Sequence, residues 1–373
     1  MKLRLGLDAR KLTDFGIGTY LQHLVCGLGA RGDVELTLLV RGGHEERAQA
    51  LAPKAKIVAV NADGYTLAEQ LRLPAALWRR RLDLVHIPHY VVPVLVNRPI
   101  VTTIHDVIQL YYPPPGRSQL GLFYLRTMIL LALRRSRRVI TVSRASRGDL
   151  LQLFPADRGR ITVVPNGVDP QLAVRPPEEE LARLRESGRL KPPLLLVVGN
   201  DKPHKNLEMV LRAFHLAVRR HRIPGQLVIV GGVPADGELA RRARRLGLGE
   251  RVRFLGRVPW EDLVALYHLA SLLLHPALYE GFGLPILEAM CAGLPVIASN
   301  LGAMRELGEG AARLVNPLDV HEVAAALEEV LVDDPLRRRM VEAGRRKAAA
   351  LSWENAVEAT ILVYRQALGE VSS

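Results

Sequence analysis

Short runs of aliphatic and β-branched residues alternate with amphipathic stretches of ten or more residues along almost the whole chain. Such alternation is the pattern of βα units and a parallel sheet, so the expected class is α/β. In the first half the runs predict strands at Leu3–Leu7, Glu35–Val40, Lys56–Val60, Leu84–Ile87, Ile100–Ile104, Arg138–Val142 and Ile161–Val164. After Asp169 comes "PQLAVRPPEEELARLRESGRLKPP", polar and carrying five prolines, which reads as a partly helical connection with the linker at 171–192. The alternation restarts with strands expected at Leu194–Gly199, Gln226–Gly232, Val252–Gly256, Ser271–Pro276 and Pro295–Ser299. Leu207, Val210, Leu211, Phe214 and Val218 recur at helical spacing and predict a helix over Lys205–Arg219 with one buried face. The expected organisation is a doubly wound Rossmann-like domain at 1–170, joined by a C-terminal helix at about 353–373, and a second such domain at 193–352. Two such domains in tandem would face each other across a cleft, with ligands at the carboxyl ends of the strands.

Composition narrows the class further. At 373 residues and 49% hydrophobic, the chain has material for two cores, and neither a disordered nor a collagen-like class fits. No run reaches about 18 apolar residues, so no membrane span is expected. The start, "MKLRLGLDAR", meets charge and glycine too early for a signal-peptide core, and Cys26 and Cys291 lack metal or disulfide spacing, which makes a bacterial-type cytosol the expected location. The formal charge of +13 raises three partners: nucleic acid, an anionic membrane and phosphorylated small molecules. Basic residues cluster in "WRRRL" (Trp78–Leu82) and "LRRSRRV" (Leu133–Val139). A solvated helix end is the plain reading of these clusters. A basic face resting on anionic lipid at the inner membrane is the functional one. No interleaving of aromatic and basic residues supports nucleic acid.

Candidate chemistry concentrates in "YEGFGLPILEAMCAGLP" (Tyr279–Pro295). Gly281 and Gly283 would let the backbone approach a ligand, Pro285 suits the first helical position, and the free N–H groups of the helix start favour an anion. Were all the intervening residues helical, Glu280 and Glu288 would stand about 12 Å apart along the axis. A folded-back loop brings them nearer, close enough to grip different parts of one extended ligand. Carboxylates suit vicinal hydroxyls of a ribose or hexose. The plainer account makes Glu288 a helix-dipole partner and Glu280 a solvated charge. Elsewhere "FGIGTY" puts Gly16 and Gly18 in a strand-turn-helix context, and His105 and Asp106 follow a strand.

The Glu280, seven residues, Glu288 pattern within "EGFGLPILEAMCAGLPVIAS" resembles the signature of the retaining family-4 glycosyltransferases, which have the two-domain GT-B architecture. The resemblance runs through "GIGTY", "TIHDVIQL", "VITVSRASRGDL", "VVPNGVD", "VGNDKPHKNL", "VRFLGRV" and "LSWE", in that order. It implies that Glu288 holds the nucleotide ribose and Glu280 the hydroxyls of the transferred sugar. The backbone at Gly281, Phe282, Gly283 and Leu284 would lie against sugar and phosphates, and Lys205 would neutralise the diphosphate. A cation at a helix start is electrostatically misplaced unless an anion joins it, which agrees with that role for Lys205. Many relatives carry an arginine where this chain has Asn200, leaving Lys202 or His204 to supply charge. The loop of Gly16 and Gly18 would reach over the donor phosphate, with His105 positioning the sugar and Asp106 supporting it.

The implied activity is retaining hexosyl transfer from a nucleotide diphosphate sugar, without a cofactor and, as no D-x-D pattern occurs, without a required metal. "HIPHYVVP" and "VGNDKPHKNL" look most similar to bacterial mannosyltransferases of polysaccharide or glycolipid assembly, implying GDP-mannose and a glycan or lipid-linked acceptor. Two rivals stand beside it: a glycoside hydrolase using the glutamates as acid and nucleophile, and a nucleotide-sugar-binding protein without turnover.

Overall fold

The computed structural model describes residues 2–371 except 15, 62–66, 79, 115 and 221. Among them, one sheet contains β1 (Leu3–Asp8), β2 (Val34–Val40), β3 (Lys56–Ala59), β4 (Leu84–Ile87), β5 (Ile100–Thr103), β6 (Arg138–Thr141) and β7 (Ile161–Val163). The other contains β8 (Leu194–Val198), β9 (Gln226–Val230), β10 (Val252–Gly256), β11 (Leu272–His275), β12 (Val296–Ser299) and β13 (Arg313–Val315). The orders are β3-β2-β1-β4-β5-β6-β7 and β10-β9-β8-β11-β12-β13, and the pairings are parallel. Each order reverses once, between β1 and β4 and between β8 and β11, which is the switch point of a doubly wound sheet. Strands such as β4 and β12 are buried at every position, as a sheet covered by helices on both faces requires.

The chain forms two compact units, Met1–Gly167 with Trp353–Ser373, and Val168–Ser352. In the first, the C-terminal helix Trp353–Leu368 meets the Ile17–Ala30 helix so closely that a Cβ on Gly27 would stand 2.6 Å from a Val357 methyl carbon. In the second, the Leu207–Arg220 helix buries Leu207, Val210, Leu211 and Phe214 in the core, with Val218 at its margin.

Several details depart from expectation. Residues 171–192, expected as a partly helical connection, group with the second unit, where the Glu178–Ser187 helix buries Leu181 and Leu184. Two leucines suffice to anchor a helix whose other positions are polar. Strand β13 was not expected, because three residues opening on an arginine carry no readable period. Asn206, left-handed at φ 59°, separates the helix from Lys205, which sits instead in a 3-10 turn at Pro203–Lys205. Three of the six described arginines in the basic clusters bond backbone carbonyls. Arg135 donates to the Val96 carbonyl at 2.6 Å, Arg138 donates to that of Gly159 at 2.6 Å, and Arg80 bonds that of Ala76. Arg79 of the first cluster, like Phe15 beside Gly16, lies outside the described residues. Among the described residues no helix is long and apolar enough to cross a membrane.

Three glycines end adjacent strands of the second sheet. Gly199 N–H donates to Val230 O at 2.8 Å, and Gly231 N–H donates to Gly256 O at 2.7 Å. A Cβ on Gly231, whose φ is 128°, would stand 1.9 Å from the Gly199 carbonyl oxygen. Gly231→Ala should therefore cost about 3 kcal/mol from combined backbone strain and overlap. It should appear in thermal unfolding as a transition several degrees lower; an unchanged melting temperature would contradict the close approach.

Candidate functional site

The second sheet presents two loops at its switch point, one leaving β8 and one leaving β11. Asn206 ties them down, its amide nitrogen donating to the carbonyls of Pro276 at 3.0 Å and Pro317 at 2.8 Å. The Leu278 N–H donates to the His204 carbonyl at 2.7 Å. These contacts bring Lys205, carried by the β8 loop, against Glu280, carried by the β11 loop.

Lys205 Nζ and Glu280 Oε1 form a direct ion pair, with both side chains 15% exposed. The Lys205 stem lies over Gly199, where an added Cβ would sit 3.5 Å from Cδ. His275, the last residue of β11 and itself buried, places Nε2 3.1 Å from the same Glu280 oxygen. Burial by itself would raise the Glu280 carboxyl, but the Lys205 ammonium and the His275 contact outweigh it and hold the group well below the carboxylate range. The anion that offsets this lysine is thus Glu280 of the chain itself.

Glu288 lies in the second turn of the Leu284–Ala292 helix, one turn deeper than a helix-dipole partner would sit. The Tyr267 hydroxyl donates to its Oε2 at 2.6 Å. Burial pushes the Glu288 carboxyl up, and the tyrosine bond offsets only part of that shift. Gly283 caps the helix at φ 97°, Leu284 opens it, Phe282 is buried and Gly281 precedes them in the loop. Of the residues nominated to replace the missing arginine, Lys202 is exposed, whereas burial, then the Lys205 charge, push buried His204 down to about 4. His204 is therefore neutral at pH 7 and supplies no charge. Asn200, five residues before Lys205, keeps a buried Oδ1 without a hydrogen-bond partner.

In the first unit, Gly16 caps the Ile17–Ala30 helix at φ 63°, without a side-chain cap. Gly18 packs so tightly that a Cβ would lie 2.9 Å from the Leu12 carbonyl oxygen. Tyr20, on the first turn of that helix, sets its ring edge on to His105, with centroids 4.8 Å apart at 84°. The "GIGTY" and "TIHD" motifs therefore meet through an aromatic contact. One ring nitrogen of His105 bonds the Pro88 carbonyl and the buried Nε2 has no partner, so the proton sits on Nδ1 and the Nε2 lone pair is unmatched. Burial holds this imidazole at about 4, neutral at pH 7. Asp106 accepts the Ile108 N–H at 3.0 Å, shaping the turn after His105.

Sequence reasoning passed over Tyr267 and His275, the partners of the two glutamates. His275 was visible as the polar end of an apolar strand five residues before Glu280; Tyr267 gives no signal, being one of several residues on an amphipathic helix.

Two family models match this chain: one described as Glycosyl transferases group 1 over residues 181–347, the other as Glycosyltransferase Family 4 over residues 16–172. The chain is a glycosyltransferase of GT-B architecture. Within that class it resembles bacterial mannosyltransferases. It is 29% identical to the O-antigen chain mannosyltransferase B of Escherichia coli, over 98% of this chain and 100% of that protein. It is 34% identical to the MMP alpha-(1->4)-mannosyltransferase of Mycolicibacterium hassiacum, over 63% of this chain and 55% of that protein, so it spans only about half the length of that relative. A solved glycosyltransferase from Rickettsia africae shares the fold, with a TM-score of 0.81 and 18% identity over 99% of this chain and 100% of that one.

Removing the lysine leaves a buried, uncompensated carboxylate. Lys205→Met should destabilise the second unit by about 2 kcal/mol, below the ~3–5 of a fully buried pair because both side chains keep some solvent contact. Lys205→Met with Glu280→Gln should recover part of that loss. The folded Glu280 value is depressed, so its contribution is complete above the unfolded value of about 4.3 and is lost as pH falls through the lower folded value. Thermal unfolding across that range checks both; equal melting temperatures for wild type and Lys205→Met would contradict the pairing.

Proposed function

We propose that this glycosyltransferase moves a hexose, mannose, from GDP-mannose to a hydroxyl of a glycan, lipid-linked or small-molecule acceptor, with retention at the anomeric carbon. The observation that carries the reading is the Lys205–Glu280 contact at the carboxyl ends of β8 and β11. A diphosphate at this point draws the ammonium away from the carboxylate, which is then released to accept hydroxyls of the sugar. The resemblance to two mannosyltransferases supports the sugar, and the O-antigen relative supports a glycan acceptor.

In this reading the C1–O bond to the β-phosphate lengthens toward an oxocarbenium-like state. The acceptor oxygen bonds C1 from the same face, and a leaving phosphate oxygen takes the acceptor proton, giving a nucleoside diphosphate. Lys205, exposed Lys202 and the N–H groups of the Leu284–Ala292 helix stabilise the charge that accumulates on the diphosphate, so the step needs neither metal nor cofactor. Gly281, Phe282, Gly283 and Leu284 line the phosphates and sugar. Glu288, steadied by Tyr267, takes the ribose. Asn200 offers its Oδ1 acceptor to the donor. The bare Nε2 of His105 accepts a sugar hydroxyl, and the Gly16–Gly18 turn approaches a donor phosphate. The base contacts backbone near Gly256 and Val258. A glycoside hydrolase would need Glu280 or Glu288 as nucleophile, and its product would be free sugar released from a glycoside without any nucleotide sugar. Lys205 and His275 already occupy Glu280, which fits a binding carboxylate better than a nucleophile.

The protein acts in the cytoplasm at the inner face of an anionic membrane. The Gln119–Arg135 helix supports this placement, with Leu120 and Phe123 76% and 68% exposed on one face and basic residues in its last turn.

Two outcomes follow. Glu280→Ala, folded by circular dichroism, should lose detectable transfer from GDP-mannose, and normal turnover would overturn the assignment. Leu120→Ser with Phe123→Ser should reduce sedimentation with phosphatidylglycerol vesicles several-fold while transfer to a soluble acceptor persists; undiminished binding would remove this helix as the contact.

A further inference from the structure

The first unit buries a run of polar side chains that the proposed chemistry does not use. His86, on β4 and fully buried, places Nδ1 2.7 Å from the Tyr364 hydroxyl and Nε2 2.8 Å from Thr103 Oγ1. Thr103 Oγ1 lies 3.1 Å from the Tyr20 hydroxyl, which also hydrogen-bonds Thr360. Thr360 Oγ1 donates to the Ala356 carbonyl at 2.7 Å. Tyr364, Thr360 and Ala356 all belong to the C-terminal helix Trp353–Leu368, so the run leaves that helix, crosses β4 and β5, and returns to it through Tyr20.

One fixed end sets every proton in the run. A backbone carbonyl only accepts, and each hydroxyl has one hydrogen to give. Thr360 gives its hydrogen to Ala356 and must accept from Tyr20. Tyr20 then accepts from Thr103, and Thr103 accepts from His86. The His86 proton is therefore on Nε2, and Nδ1 takes the hydrogen of Tyr364. Reversing the direction would leave Tyr20 and Thr360 facing each other with lone pairs and the Tyr364 hydrogen without its histidine acceptor. Each such loss inside a core costs about 1–3 kcal/mol, so the satisfied direction prevails. Burial keeps His86 neutral, down at about 3, as this direction needs.

We propose that Tyr20 is a positioning residue for His105, held against it by this one-way hydrogen-bond chain that starts and ends on the C-terminal helix. Two groups fix the His105 ring, the Pro88 carbonyl at Nδ1 and the Tyr20 ring edge at its side. The Tyr20 hydroxyl, bound to both Thr103 and Thr360, fixes the plane of that ring. The C-terminal helix thereby governs where the bare Nε2 of His105 points, although its own residues need not touch a substrate. The catalytic consequence rests on the reading of His105 given above; the placement does not.

The test has one arm for each. In protein with isotope-labelled histidine rings, assigned by loss of signal in His86→Gln and His105→Gln, His86 should carry its proton on Nε2 and His105 on Nδ1. Tyr20→Phe and Tyr364→Phe should both shift the His105 ring signals with helix content unchanged. In the transfer assay, Tyr20→Phe should lower kcat about tenfold with the donor KM within about twofold, the signature of a misplaced group rather than lost binding. Should Tyr20→Phe fail to fold, Thr360→Val removes the acceptor of the Tyr20 hydrogen while keeping shape, and should give the same shift. A His86 proton on Nδ1, or His105 signals unmoved in folded variants, would overturn the proposal. Shifted signals in a protein without transfer activity would uphold the placement and refute only the reading of the reaction.

Discussion

A single buried carboxylate, Glu280, sets the terms for the second unit. Moving such a group out of water costs several kcal/mol, and the attraction of one ammonium offsets this only when geometry and further hydrogen bonds are good. Here both conditions are met on one oxygen, with Lys205 on the β8 loop and His275 at the end of β11 converging on Oε1. Net depression of the carboxyl shows which effect wins: pairing exceeds desolvation. Much of the local architecture serves that contact. Asn206 holds the β8 loop to the exit of β11, Gly199 leaves room for the lysine stem, and Gly231 lets the neighbouring strand end close beneath it.

The two units handle their central groups by opposite electrostatic means. Glu280 is charged because it is paired, whereas His105 is neutral because it is buried, with Nδ1 committed to Pro88. Glu288 stands between these cases, pushed up by burial and steadied by Tyr267. For a glycosyltransferase this division is chemically coherent. Diphosphate needs fixed positive charge that can exchange partners, and sugar hydroxyls need acceptors that do not themselves attract the phosphate.

Much of this was legible in the sequence, for identifiable reasons. Fully buried parallel strands give continuous apolar runs, so twelve of the thirteen strands among the described residues could be placed, and the buried stripe of Leu207, Val210, Leu211 and Phe214 fixed a helix within two residues. Glu280 stood out by its spacing from Glu288, and Lys205 by its charge at an expected helix start. What could not be read was pairing. Nothing in one dimension says that Lys205 meets Glu280 seventy-five residues on, or that Tyr267 meets Glu288. The hydrogen-bond run from Tyr364 to Tyr20 is equally silent, because His86 and Thr103 look like ordinary strand residues. Two local features could not be read in advance: residues 171–192 are polar yet held by two leucines, and His204 is basic by type yet kept neutral by burial.

The central claim, that the sugar passes from a nucleotide donor to an acceptor with retention at the anomeric carbon rather than being hydrolysed, is tested most directly by the configuration of the first-formed product. Proton NMR of the anomeric signal during turnover of an α-linked GDP-mannose should show an α-linked product from the earliest time points, with no free mannose preceding it. A β-linked first product, or release of free sugar as the main event, would contradict the account.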